Sequence, residues 1–135
     1  MEHLTPEQQE SLRRALEQER DALTRQRHQE TVDAVAAAEV VPDVGDRQDA
    51  AATEAAQLAH WTLADHERAR LTEIEAALRR MTDGSYGVCE LSDDPIPFAR
   101  LAAEPTARTT VEAQQEDEEQ RTRERTDEND RRRGY

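Results

Sequence analysis

GSYGVCELSDDPIPFARLAAEPTARTTVEAQ, residues 84–114, separates two stretches of helical pattern and sets the architecture of this chain. It holds the single cysteine, Cys89. Its apolar residues Val88, Leu91, Ile96, Phe98, Leu101 and Val111 are the candidates for a small core of its own. Asp83-Gly84 supplies a helix stop immediately before it, glycine being the residue that most readily takes the left-handed conformation past a helix end. At its far side, Pro105 or Thr106 is read as the start of a C-terminal helix running to about Gln120, assigned to 105–122.

Upstream, Thr5-Pro6-Glu7-Gln8 reads as a helix start. Thr5 can cap, proline suits the first helical position, and Gln8 completes a capping box. The first helix is expected to run to about Val40, with a thin apolar seam of Leu12, Leu16, Leu23, Ala34, Ala37 and Val41. Pro42 and Gly45 break the pattern. Asp46 can then cap a second helix from about Arg47 to Thr82, with Asp49 in its first turn. One face of that helix carries Ala52, Ala56, His60, Leu63, Leu71, Ile74, Leu78 and Met81, interrupted by Glu67. Two such helices of roughly 35 residues form an antiparallel hairpin about 50 Å long. The expected organisation is a hairpin over 1–83 with its tip at 42–49, then the small module over 84–114. After the C-terminal helix, 123–135 mixes both charges without apolar periodicity and reads as a disordered tail.

Composition agrees with a thin-cored, mainly α chain. Of 135 residues, 35% are hydrophobic, 3% aromatic and 36% charged, too little apolar matter for a thick globular core. The net charge of −13, with arginine as the only basic residue beside histidine, disfavours the phosphate backbone of nucleic acid and favours a partner with a positive surface or channel. One cysteine excludes an internal disulfide framework and suits a reducing compartment. The N-terminus, MEHLTPEQQE, does not read as a signal peptide, and the mostly apolar run Ala34–Val41 is too short to span a bilayer. The expectation is a cytoplasmic chain, monomeric, with no membrane association. No nucleophile–base pairing or phosphate loop suggests an enzyme.

Tyr86-Gly87-Val88-Cys89, Pro95-Ile96 and Arg100-Leu101-Ala102-Ala103-Glu104-Pro105-Thr106-Ala107 resemble the signature of the TraR/DksA family of RNA polymerase regulators. The resemblance is specific over 43–114 and architectural elsewhere. It implies a long helical hairpin (coiled coil), a small zinc-ribbon-like module and a C-terminal helix. The family's four zinc positions, two Cys-x-x-Cys pairs, fall here on Cys89, Ser92, Thr110 and Ala113. Only the first is a thiolate, whereas a structural zinc site needs four thiolate or imidazole ligands in a tetrahedron. The four histidines, His3, His28, His60 and His66, all lie far upstream. The finger is therefore expected to be degenerate and to fold without metal or other cofactor, held by its apolar residues and by a Ser92–Thr110 hydrogen bond. Cys89 reads as a vestigial buried thiol rather than a redox sensor, since no basic neighbour in sequence lowers its pKa.

The resemblance also implies a partner and a mechanism: binding to bacterial RNA polymerase at its secondary channel, with the hairpin tip directed at the active site and no specific contact to promoter DNA. The family's tip motif, Asp-x-x-Asp-x-Ala, falls on Asp43, Asp46 and Gln48. Both carboxylates match, and the alanine is replaced. Read without the resemblance, Asp43 and Asp46 are turn and capping residues. The positions that contact the alarmone ppGpp in the family fall on Glu73, Glu104 and Gln114, two carboxylates and a neutral amide where a tetraphosphate needs cations. The expected function is thus an open-complex regulator independent of zinc and ppGpp. The alternatives are a polymerase-binding competitor that has lost regulation, or a transcript-cleavage-type factor. Leu58 and Trp61 lie off the apolar face of the second helix. They read either as packing against the small module or loose surface residues, or as an anchor for polymerase or self-association.

Overall fold

The structure is a computed structural model that describes residues 1–38 and 47–134, with side chains described from Ala52 onward in the second stretch. Four helices follow in order: α1 (Pro6–Ala38), α2 (Arg47–Asp83), α3 (Phe98–Ala103) and α4 (Val111–Arg133). The chain is mainly α, as expected. Among the described residues strand-type pairing is confined to one isolated antiparallel bridge, Val88 with Pro95. Asp43 and Asp46 lie outside the described residues. Gln48 belongs to the backbone of α2, and its side chain is outside them.

Local chemistry sets the ends of these helices. Thr5 and Gln8 close the anticipated capping box: the Gln8 amide donates to Thr5 Oγ1 at 3.1 Å, and the Thr5 amide donates to Gln8 Oε1 at 3.0 Å. Each satisfies a donor that the first turn would leave orphaned. Gly84 ends α2 at φ 88°, where its amide donates to Arg80 O at 2.9 Å, and this left-handed turn favours glycine.

The chain divides into two compact units that cut across the sequence-derived organisation. One is Arg13–Arg79, the hairpin unit. The other joins Met1–Leu12 to the segment from Arg80 to the C-terminus, so the first residues of the chain belong with the finger.

In the hairpin unit, Arg70 makes a two-pronged contact with Glu19, Nε to Oε1 at 2.6 Å and Nη2 to Oε2 at 2.8 Å. Gln26 Nε2 donates to Glu67 Oε1 at 3.0 Å. As the α1 number rises the α2 number falls, which makes the helices antiparallel. The Arg70 fork holds the Glu19 carboxyl below its ordinary range. Both side chains are about a third exposed, so the pair contributes about 1 kcal/mol or less. Leu16, Leu71, Ile74 and Ala77 are buried. Glu67, read from sequence as an interruption of the apolar face, is itself buried. Burial and the neighbouring Glu30 push its carboxyl up, opposed by Arg27 and His60. The expected apolar face is buried only in part, because Leu63 is half exposed and Ala52, Ala56 and His60 are exposed.

Three expectations differ in the finger unit. The C-terminal helix does not start at Pro105 or Thr106. It starts at Val111, because 104–110 is used as a turn, with Ala107 N bonded to Glu104 O at 3.0 Å, and because Thr110 is the residue that caps. Residues 123–133 are helical rather than disordered. Side-chain pairs one turn apart run along that helix: Gln114–Glu118, Arg121–Asp117, Gln120–Glu124 and Arg132–Glu128. Each pair adds a few tenths of a kcal/mol to a helix that buries little. Leu91 and Val111, assigned to the finger core, are exposed at 56% and 43%. Tyr86, which was not assigned to it, is fully buried.

Candidate functional site

The finger is a tight loop wrapped around one sulfur atom. Cys89 N donates to Asp94 O at 2.8 Å, and Asp93 N donates to Cys89 O at 2.9 Å. Asp93, at φ 60°, turns the chain back. Ile96 N then reaches Gly87 O at 2.7 Å, closing the loop beside the Val88–Pro95 bridge. Gly87 sits at φ 79°, and a Cβ there would meet the His3 ring at 3.2 Å. The position thus needs glycine both for its backbone and for the close approach of the N-terminal segment. His3 Nε2 donates to Ile96 O at 2.8 Å, which ties that segment to the loop.

The second half returns to the same sulfur. Thr110 N donates to Cys89 Sγ at 3.4 Å, and Thr110 Oγ1 lies 4.0 Å from it. The same hydroxyl accepts from Ala113 N at 3.2 Å and caps α4. Burial pushes the Cys89 thiol up. The Ser92 hydroxyl and the amides of Thr110, Ser92 and Leu91 more than offset this and bring it down to about 7. A basic neighbour is not required: hydrogen bonds from amides and a hydroxyl favour the thiolate by the same logic. The thiol remains fully buried.

The four positions matched to the family's zinc ligands, Cys89, Ser92, Thr110 and Ala113, are thus brought together. Ser92 and Thr110 turn their hydroxyls toward Cys89, so the expected Ser92–Thr110 bond is replaced by a sulfur-centred one. Thr110 Oγ1 is committed to the helix cap, and Ala113, buried at the first turn of α4, has no ligand atom. No group of three or more His, Cys, Asp or Glu residues that could hold a metal ion occurs among the described residues. One thiolate and two neutral hydroxyls do not fit zinc.

Around the sulfur, Tyr86, Ile96 and Leu101 are fully buried. Tyr86 Oη donates to Pro105 O at 2.7 Å, and burial, opposed by Arg80, pushes its phenol up to about 12. Arg100 clamps the segment before α4: its Nε donates to Thr109 O and its Nη2 to Gln114 Oε1, both at 2.8 Å. Arg108 pairs with Glu90 at 3.2 Å, and Glu90 N donates to Arg108 O at 2.9 Å. Among the residues matched to alarmone contacts, Gln114 is thus engaged with Arg100 and Glu118. Glu104 is exposed at the end of α3, and Glu73 is half-buried within the hairpin unit. Leu58 and Trp61 are exposed at 64% and 62%, rather than packed.

Residues 84–119 match the family described as the prokaryotic dksA/traR C4-type zinc finger. The chain is 44% identical over 73 residues to the RNA polymerase-binding transcription factor DksA of Caulobacter vibrioides, covering 54% of this chain and 51% of that protein. It is 51% identical over 53 residues to general stress protein 16O of Bacillus subtilis, covering 39% and 32%. The chain therefore spans about half the length, or less, of these relatives. The structure of transcription factor DksA2 from Pseudomonas aeruginosa superposes with a TM-score of 0.74 at 29% identity, covering 91% of this chain and 90% of that one. Two of the three are transcription factors by name. No helix among the described residues is long and apolar enough to cross a membrane.

Proposed function

The chain belongs to the DksA/TraR family, and from that premise we propose that it is a transcription regulator that binds bacterial RNA polymerase through the secondary channel. In this reading the acidic hairpin tip, Asp43 and Asp46, enters the channel near the active site and alters open-complex stability. Two carboxylates in a confined positive channel bias charged elements far more than they would in bulk water. The observation that carries the reading is the likeness over 73 residues to a factor named for binding RNA polymerase. The protein acts in the cytoplasm as a monomer, with no specific contact of its own to nucleic acid.

Two properties set this chain apart within that function. The finger works without zinc, because Cys89 is held by hydrogen-bond donors where the family has further thiolates. It also works without ppGpp. Glu73 and Glu104 present carboxylates where a tetraphosphate needs guanidinium or ammonium groups, and each like charge costs about 1 kcal/mol or more at surface dielectric.

The test is transcription with polymerase from the same source, lacking its other alarmone site, on a ribosomal RNA promoter and an amino-acid biosynthesis promoter. The protein is expected to change open-complex lifetime, and ppGpp titration is expected to leave that change flat. A dose-dependent synergy abolished by replacing Arg79, Arg80 or Arg108 would overturn alarmone independence. Polymerase binding without any effect on open complexes would instead identify a competitor, and cleavage of backtracked transcripts would identify a cleavage factor.

A further inference from the structure

Toward residues 39–46 the hairpin unit runs out of buried side chains. Among the described residues of 17–38 and 52–66 none is buried. The first buried side chain of α2 is Glu67, 6% exposed, ahead of Leu71 and Ile74. Among the described residues the outermost buried group of this unit is therefore a carboxyl, in a position that an apolar side chain would ordinarily fill.

That carboxyl is only half provided for. Gln26 Nε2 donates to Glu67 Oε1 at 3.0 Å and, more weakly, to Glu30 Oε1 at 3.4 Å. One amide group thus bridges two carboxyls, and Glu30 stands within hydrogen-bonding reach of Glu67. Glu67 Oε2 is buried with no hydrogen-bond partner among the described residues. An acceptor left in that state bears its whole desolvation penalty, and two adjacent ionised carboxyls repel each other. The other charged groups facing the pair are Arg27 from α1 and His60 from α2. Both favour the ionised form, but burial and Glu30 outweigh them and push the Glu67 carboxyl up. Arg70, one turn further along α2, is forked on Glu19.

We propose that Glu30 and Glu67 share one proton, and that this proton is a clasp holding the outer part of α1 against α2. The protonated Glu67 carboxyl donates to the Glu30 carboxylate, which removes the repulsion and satisfies the orphan oxygen together. Loss of the proton leaves two like charges between the helices, and among the described residues no buried apolar side chain lies further out to hold them. Closure raises the affinity of Glu67 for its proton, so the proton in turn stabilises closure. That stabilisation is fully present below the ordinary carboxyl value of 4.5 and is lost as pH rises through the raised one. The outer hairpin therefore loosens with rising pH above 4.5. The clasp belongs to the hairpin unit alone and does not depend on polymerase binding.

The test follows the 135-residue chain as pH is raised from 4.5, with two readouts. Carboxyl-carbon NMR gives the titration midpoint of Glu67. Hydrogen-exchange protection, corrected for the intrinsic rate, gives the closure of 27–35 and 58–66, with the finger amides of Cys89 and Ile96 as the internal reference. The midpoint is expected above 4.5. Protection of the outer hairpin is expected to fall by up to about tenfold per pH unit until that midpoint is reached. Glu67→Gln, an isostere of the protonated acid, keeps the bonds to Gln26 and Glu30 and should hold protection high and flat, although His60 still titrates. Glu30→Gln offers the orphan oxygen an amide donor and should bring the Glu67 midpoint down. Glu54→Gln, an exposed change of the same charge, should follow the parent. A Glu67 midpoint at or below 4.5 would overturn the shared proton. Protection that falls in Glu67→Gln as it does in the parent would overturn the clasp.

Discussion

Replacing Leu101 by alanine is expected to destabilise the finger by about 2–5 kcal/mol, the range for emptying a fully buried leucine site. Leu101 is completely buried in α3, and the finger has few equivalents: Tyr86, Cys89 and Ile96. A metal in a structural finger contributes on the order of 10 kcal/mol or more. A finger without that contribution relies on these side chains and on the bonds around Cys89, so a cavity among them removes a large part of its stability. Hydrogen exchange reads this locally. The amides of Cys89, Ile96 and Thr110, bonded to Asp94 O, Gly87 O and Cys89 Sγ, should lose protection together, while amides of the hairpin unit keep theirs. The volume-conserving change Leu101→Met should cost less than about 1.5 kcal/mol. Unchanged protection in Leu101→Ala would mean that something other than this core holds the finger.

The double replacement Asp43→Asn with Asp46→Asn is expected to abolish the effect on open complexes and leave polymerase binding in place. Asparagine retains the turn-forming and capping capacity of aspartate while removing its charge. Loss of regulation with retained helicity would therefore assign the effect to the carboxylates rather than to the fold of the tip. Open-complex lifetimes measured with saturating parent and variant decide the matter. Equal effects from the two would show that the tip charges are not the acting groups, and the competitor reading gains if the parent itself has no effect.

Local signals in the chain were the most legible. The Thr5–Gln8 capping box and the Gly84 stop involve residues within one or two turns of each other, and the structure places both where the sequence puts them. The gathering of Cys89, Ser92, Thr110 and Ala113 was also legible, but through the family signature rather than through periodicity. What could not be read depends on long-range contacts. His3 meets Ile96 across 93 residues, and nothing in MEHLTP announces that it closes against Gly87. Tyr86 was not assigned to the core, and the partner of its buried hydroxyl, Pro105 O, lies 19 residues away. Arg100 was read as part of a motif, and its role as a clamp on Thr109 and Gln114 emerges only once the chain turns at 104–110.

The tail misled for a different reason. Residues 123–133 have no apolar stripe, which is the usual sign of a disordered segment. Their arginines and acids are nevertheless spaced to pair along a helix, as Arg132 does with Glu128 at 2.8 Å. Leu91 and Val111 were assigned to the core by residue type. In a module this small, the loop that carries Cys89 and the first turn of α4 can bury one side only, and those two side chains fall on the other. On α2, Glu67 was read as a break in the apolar face. Gln26 from the facing helix donates to its Oε1, while its Oε2 is buried without a hydrogen-bond partner among the described residues.

The proposed function is that of a DksA/TraR-type factor that binds RNA polymerase through its hairpin while no metal holds its finger together. The most direct test is a binding titration of this 135-residue chain with purified RNA polymerase, before and after exhaustive treatment of the protein with a strong zinc chelator. The expected result is one dissociation constant for both preparations, with well under one zinc per chain in the untreated protein. Binding that is lost on chelation and restored by added zinc, or no binding in either state, would contradict it.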